Sequence, residues 1–172
     1  TTIRKAVALW FRNWNQAVAI YGPIGDWDVS GVTDMSKLIW DAVLSYAWPH
    51  SMEDPECFDD DINRWDVSNV TTMEAMFSYA ETFNQPLATW NVSRVVNMKG
   101  MFAEARSFNQ SLATWAVTNV IDMECMFVLA RCFNQPLGCW NVSTVTIMAC
   151  MFGGAQAFNQ PLETWNVSSV TD

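Results

Sequence analysis

A single histidine, His50, is the chain's whole supply of imidazole, and no Cys-x-x-Cys pair, phosphate-binding glycine loop or nucleophile–base–orienter set accompanies it. Catalysis, a resident cofactor and a Cys/His metal site are therefore left without residues to carry them. Basic residues are scarce as well: 9 Lys and Arg stand against 18 Asp and Glu, giving a net charge of −9 and a pI near 4.4. With no Lys/Arg cluster, this composition argues against a nucleic-acid or anionic-membrane partner. No apolar run approaches the roughly 18 residues that a membrane span needs, and no basic-then-apolar leader pattern opens the chain. A removed leader would leave the same start, so this pattern does not decide export. The five cysteines cannot all pair within one chain, and most read as small apolar fillers.

Large apolar residues are abundant instead, with 10 Trp, 10 Phe and 10 Met. Trp65, Trp90, Trp115, Trp140 and Trp165 recur every 25 residues, and the sequence between them follows W-[ND]-V-[ST]-x-V-x-x-M-x-x-M-F-x-x-A-x-x-F-N-Q-P-L-x-x. The tryptophan is counted below as position 1. An earlier copy opens at Trp27 and rejoins the pattern at Phe58 after 13 extra residues, while the copy from Trp165 reaches only Asp172. The expected organisation is an N-terminal cap and linker over 1–26 and a repeat array over 27–172. Its copies begin at 27, 65, 90, 115 and 140, with a partial copy at 165, an insertion around 43–57, and further repeats of the same chain expected beyond the C-terminal end.

A unit of this length falls in the roughly 20–29-residue range of leucine-rich-type repeats. Leu87, Trp90, Val92 and Val95 have the spacing of a short strand, and Met73, Met76, Phe77 and Ala80 that of one helical face. The expected fold is therefore α/β: a leucine-rich-repeat-like solenoid with parallel strands on one face, short helices on the other, and a capping helix. That helix is read from Ile3, Ala6, Val7, Trp10, Trp14, Ala17, Val18 and Tyr21, with Thr1 or Thr2 capping its start and Gly22-Pro23 ending it. The methionine columns read as core and the Asn84, Asn109, Asn134 and Asn159 column as a ladder that satisfies turn backbone groups. Cys125 and Cys150 share position 11. On neighbouring helices about 8–10 Å apart they would stand too far apart to bridge, leaving Cys132 and Cys139 as the better pair.

The repeat unit resembles the BspA-like leucine-rich surface-protein repeat of about 25–26 residues, from Trp27 onward, and Tyr21 to Trp27 looks like the segment that opens such arrays. The resemblance implies an exported or cell-surface protein associated with adhesion. The chain departs from the family pattern in the insertion and in Phe58-Asp59-Asp60-Asp61-Ile62, which replaces F-N-Q-P-L.

Residues on the expected strand face form columns across the rungs. Position 5 varies most, running Gly31, Asn69, Arg94, Asn119, Thr144 and Ser169. Variable residues on a constant scaffold are where recognition is written, so Arg64, Asp66, Ser68, Asn69, Asn91, Ser93, Arg94 and Asn119 are the candidate ligand-binding set for an extracellular protein or glycan. The competing reading of the same columns is a polar ladder that solvates the sheet. Asn69, Asn91, Asn109, Asn141 and Asn166 fit N-x-[ST], a consequence of the repeat that would admit glycans in a eukaryotic secretory host. Asp59, Asp60 and Asp61, with Glu53, Asp54 and Glu56 of the insertion, are weak calcium candidates that match no EF-hand spacing. The functional expectation is a non-catalytic interaction or adhesion module; alternatives are a structural spacer in an extracellular array and an ice- or mineral-binding surface.

Overall fold

The computed structural model describes residues 2–46 and 58–172, the side chains of 43–46 excepted. His50, Cys57 and the acidic residues Glu53, Asp54 and Glu56 lie outside the described residues, as does most of the insertion.

The expected capping helix forms as two. Helix α1 (Ile3–Arg12) and helix α2 (Trp14–Tyr21) meet at Asn13, whose φ of −157° leaves the helical region and whose Oδ1 accepts from the Gln16 N–H at 3.0 Å. Thr2 stands at the start of α1 without a side-chain cap, and Gly22 ends α2 at φ 74°. The apolar side of α1 buries Ala6, Val7 and Trp10. Trp10 meets Trp27 edge-on, with ring centroids 5.6 Å apart, and Arg4 donates to the Ser36 carbonyl at 2.7 Å. A 3-10 turn, Ile24–Asp26, leads into the first rung. There a cross-chain constraint demands glycine: a Cβ on Gly25 would lie 2.5 Å from the Asp61 carbonyl oxygen.

The parallel-strand face and the helical face do not form, which corrects the expected α/β leucine-rich-like architecture. Among the described residues the only β-pairing is a chain of single-residue parallel bridges at position 8, Asp34–Thr72–Asn97–Asp122–Ile147. Past the cap, the only described helix is α3 (Leu38–Tyr46), in the first copy. The remaining rungs are chains of tight turns, in which amides of positions 6, 12, 16, 19 and 1 donate to carbonyls three residues back, as in Met76 to Met73 at 3.2 Å. The inward residues explain why. In the rungs opening at Trp65, Trp90 and Trp115, positions 3, 6, 9 and 12 are all buried, a period of three that is neither the strand's two nor the helix's 3.6. A two-residue step from tryptophan to valine imitates a strand, and the M-x-x-M-F spacing imitates a helix.

Neighbouring rungs are joined by backbone bonds in both directions: amides of positions 7 and 18 reach back a rung, as in Val96 to Thr71 at 2.8 Å, and a set of four reaches forward. Met73, Ala75, Phe77 and Tyr79 donate to the carbonyls of Asn97, Lys99, Met101 and Ala103 at 2.8–2.9 Å, and the next two interfaces repeat this set of four. A helix would spend those amides internally, so the stack and the helix compete for the same donors. Reaching outward requires a left-handed residue at positions 11 and 15. Ala75, Tyr79, Glu104, Cys125 and Leu129 adopt φ of 50–60° there, and Gly100 and Gly154 hold the same positions. Each non-glycine residue costs about 1–2 kcal/mol in that region.

Burial offsets the cost. In the rungs opening at Trp65, Trp90 and Trp115 the tryptophan, both valines, the phenylalanines and the leucine are buried almost completely, each large side chain contributing about 1.5–3 kcal/mol. Phe77, Phe102, Phe127 and Phe152 stack at 5.5–5.6 Å, and each meets the second phenylalanine of its own rung at 4.1–4.3 Å. Tryptophan rings stack in parallel at 6.4–6.5 Å from Trp90 to Trp165, and each indole N–H donates to a position-23 carbonyl one coil back, as in Trp115 to Leu87 at 3.0 Å. The methionine columns are core, as expected, from Met35 to Met126. At the C-terminal end Phe152, Leu162 and Trp165 are only half-buried and line an open cleft of about 400 Å3.

Two substitutions separate these terms. Ala75→Gly, against the usual penalty for glycine, is expected to stabilise by about 0.5–1 kcal/mol, because relief at φ 50° outweighs the added unfolded-state entropy. Phe102→Ala, which breaks both phenylalanine stacks, is expected to cost about 3–5 kcal/mol. Urea denaturation of both variants beside the parent checks the pair; a destabilised Ala75→Gly would contradict the left-handed assignment.

Candidate functional site

The stretch from position 25 through position 7 presents its polar side chains around the buried tryptophan and valines, and it contains the whole predicted set. Asp66 and Asn91 are exposed, and their Oδ1 atoms accept from the Ser68 and Ser93 N–H groups at 3.0 and 3.2 Å. Hydrogen bonding from Ser68 holds the Asp66 carboxyl below its ordinary value, as Ser30 does for Asp28. Both are stable carboxylates rather than proton donors at neutral pH.

Position 5 builds a ladder. The Asn69 amide donates to the Ser30 carbonyl at 3.0 Å and Asn119 to the Ser93 carbonyl at 2.7 Å, while Arg94 reaches the Asn69 Oδ1 at 2.8 Å. Thr144 and Ser169 continue it with their hydroxyls. Position 25 does the same through Thr114, Cys139 and Thr164. Arg64, at the start of that column, pairs instead with Asp26 at 2.5 Å in an exposed ion pair of small energetic weight. Asn69, Arg94 and Asn119 are thus brought into one array, linked through the Ser30 and Ser93 backbone, with Arg64 on its neighbouring column.

Position 7 was missed by the sequence reading, and its exposure is what makes this side chemically mixed. Between Thr71 and Thr146 the column carries Val96 and Ile121, which are 39% and 45% exposed. Each stands two residues from Arg94 or Asn119 on its own rung. The signal was present in the repeat as a position that alternates between threonine and aliphatic β-branched residues. A second missed feature is a cleft of about 610 Å3 between α1 and the first rung, lined by Thr2, Ile3, Tyr21, Trp27, Asp28 and Gly31. It arises from the cap docking on the array, which no local pattern announces.

The three aspartates at the start of the array have separate partners. Asp59 accepts from the Asn84 N–H at 2.8 Å, Asp60 from the Trp10 indole N–H at 2.8 Å, and Asp61 from the Asn63 N–H at 2.9 Å. Among the described residues no group of three or more His, Cys, Asp or Glu side chains is placed to hold a metal ion. Asp59 heads the asparagine ladder: the Oδ1 atoms of Asn84, Asn109 and Asn134 each accept, at 2.9 Å, the N–H of the next asparagine, and the glutamine that follows donates back to the same Oδ1 and to that asparagine's backbone carbonyl. The first rung has no rung before it, so Asp60 replaces the glutamine donor with an acceptor for Trp10.

The predicted sequons Asn69, Asn91, Asn141 and Asn166 are exposed, whereas Asn109 is half-buried in the ladder. Cys132 and Cys139 are exposed free thiols. Cys125 and Cys150 do not sit on separated helices, which corrects that expectation: the Cys125 N–H donates to the Ala149 carbonyl at 2.9 Å, placing them on adjacent rungs in register. No helix among the described residues is long and apolar enough to cross a membrane.

A repeat protein of hydrogen-bonded turns with an aromatic core is the class that this geometry defines. Residues 8–132 and 112–172 match the family described as Mycoplasma protein of unknown function, DUF285, and the chain belongs to that family. No curated protein and no solved structure matches it.

The cap junction yields a test. Burial pushes the Asp60 carboxyl up, against the Trp10 hydrogen bond, and Asp59 adds to the rise. A raised folded-state value means that ionised Asp60 weighs against folding at neutral pH, and that this penalty disappears as pH falls through the folded value. Asp60→Asn keeps an acceptor for Trp10 without the charge, so it is expected to melt at or above the parent at pH 7, with the advantage shrinking toward pH 4. Asp60→Ala strands the indole and is expected to cost about 1–3 kcal/mol. Thermal unfolding at both pH values checks these outcomes.

Proposed function

We propose that this protein is a non-catalytic interaction module, acting at a cell surface or after secretion, that binds a protein partner through the side formed by positions 25 to 7. The observation that carries the reading is the combination on that side of an invariant rung backbone with changing exposed side chains, notably Arg94 and Asn119 beside Val96 and Ile121. Mixed aliphatic, amide and guanidinium groups suit a protein interface, where Arg and apolar anchors are enriched. The resemblance of the repeat to BspA-like surface repeats supports the location and an adhesive role. A glycan partner draws less support, because the tryptophan rings of this side are buried. Interruption of the position-7 threonines by Val96 and Ile121 weighs against a regular ice- or mineral-binding hydroxyl array.

The competing reading is a structural spacer, favoured by the engagement of so many position-5 and position-25 side chains in the ladders. The two are separated by probing an extracellular-protein array and a glycan array with the parent and with a triple variant, Arg94→Asn, Val96→Thr and Ile121→Thr. Each new residue already occupies the same column in a neighbouring rung, so the variant is expected to keep the fold. Selective capture of a protein by the parent, weakened at least about tenfold in the variant (roughly 1.4 kcal/mol), is the expected result. A folded parent that captures nothing supports the spacer, and equal capture by the variant moves the site off this side.

A further inference from the structure

Cys125 and Cys150 hold position 11 on neighbouring rungs, and ladder bonds fix the backbone around them. Met123 donates to Ile147 at 2.9 Å, Cys125 to Ala149 at 2.9 Å and Phe127 to Met151 at 2.8 Å. Chains paired this way stand about 4.8 Å apart, inside the roughly 4.4–6.8 Å between Cα atoms that a disulfide spans. Both residues are left-handed, with φ of 56° and 54°, so their Cα–Cβ bonds leave the backbone in the same direction. The two members of the column nearest before them are Ala75 and Gly100, so the side chain beside Cys125 on that flank is a single hydrogen atom. Both thiols are free; Cys150 is exposed and Cys125 partly so. Burial, the Glu124 carboxylate and hydrogen bonding with Cys150 push the Cys125 thiol up, consistent with thiols in mutual reach.

We propose that Cys125 and Cys150 form a dithiol site that a low-molecular-weight disulfide, such as oxidised glutathione, converts into a reversible cross-rung disulfide. The more exposed Cys150 thiol gives up its proton to solvent, and its thiolate attacks one sulfur of the glutathione disulfide. That S–S bond breaks, a mixed disulfide forms on Cys150, and the first glutathione leaves as a thiolate. Cys125, deprotonated in turn, attacks the Cys150 sulfur and expels the second glutathione. Two protein thiols are oxidised, one glutathione disulfide is reduced, and the released thiolates take up the two protons. Cβ atoms in a disulfide lie about 3.5–4.5 Å apart, closer than the ladder spacing. The bridge must draw the rungs' side chains together, which places it among the labile, readily reduced kind.

The test uses the full chain with Cys57, Cys132 and Cys139 changed to serine, treated with oxidised glutathione under native conditions. Loss of both free thiols without retained glutathione, a peptide map joining residues 125 and 150, and recovery of both thiols with dithiothreitol are expected. Cys125→Ala, which repeats the residue at Ala75, is expected to hold glutathione on Cys150 as a lasting mixed disulfide. Tryptophan fluorescence confirms that each protein is folded. Glutathione retained on Cys150 in the parent as in the variant, or thiols that stay free, overturns the proposal.

Discussion

Four amide-to-carbonyl bonds leave each complete inner rung toward the next, from positions 9, 11, 13 and 15 to the carbonyls of 8, 10, 12 and 14, and the backbone of the array follows from them. An L-residue chain gains these bonds only by placing two residues per rung in the left-handed region, at about 1–2 kcal/mol each. A lone rung would bear that cost with its donors facing water and its phenylalanines exposed. Stability is therefore a property of the stack, in which each interface returns both hydrogen bonds and aromatic burial. The same constraint explains why a spacing that suits a helix does not make one.

Side chains extend this logic to groups that the backbone ladder leaves over. Tryptophan indoles donate to position-23 carbonyls, asparagine side-chain carbonyls accept from the amide of the next asparagine, and hydroxyls at position 25 donate to the carbonyl of position 24 one rung back. Each device needs a preceding rung, and at the start of the array the cap supplies the substitute. Gly22 and Ile24 present carbonyls to the indoles of Trp27 and Trp65, Asp59 stands in for the first asparagine, and Asp60 receives Trp10. The Asp-Asp-Asp departure from N-Q-P is thereby accounted for as a junction between unlike elements.

Repetition of the backbone also governs what the surface can do. Because every rung holds its column positions at the same spacing, an exchange at position 5 or 7 changes surface chemistry while the backbone register stays the same. Asn, Arg, Thr and Ser all fit position 5, while Thr, Val and Ile all fit position 7. That tolerance underlies the proposed protein-binding side. The same register brings two thiols together at position 11, where column neighbours are small. Neighbouring identical positions are close on a hydrogen-bonded stack and would be distant on packed helices.

The repeat period, its core positions, the asparagine ladder and a helical N-terminal cap were all legible in the residues, because burial repeats with the sequence and apolar identity reports it directly. The candidate side was legible in Asn69, Arg94 and Asn119 through their variability, whereas the exposure of Val96 and Ile121 shows only in the threonines that share their column, not in the aliphatic residues themselves. Backbone conformation was hidden: Trp-x-Val and Met-x-x-Met-Phe satisfy strand, helix and three-residue turn periodicities alike over so few residues. Asn13 as a break in the cap was equally silent, since asparagine is tolerated within helices as well as at their ends. By itself the sequence determined the repeat period and the columns that fill the core. Which hydrogen bonds the backbone makes was decided only in the tertiary structure, because those donors find their acceptors on the adjacent rung, about 25 residues away in the chain.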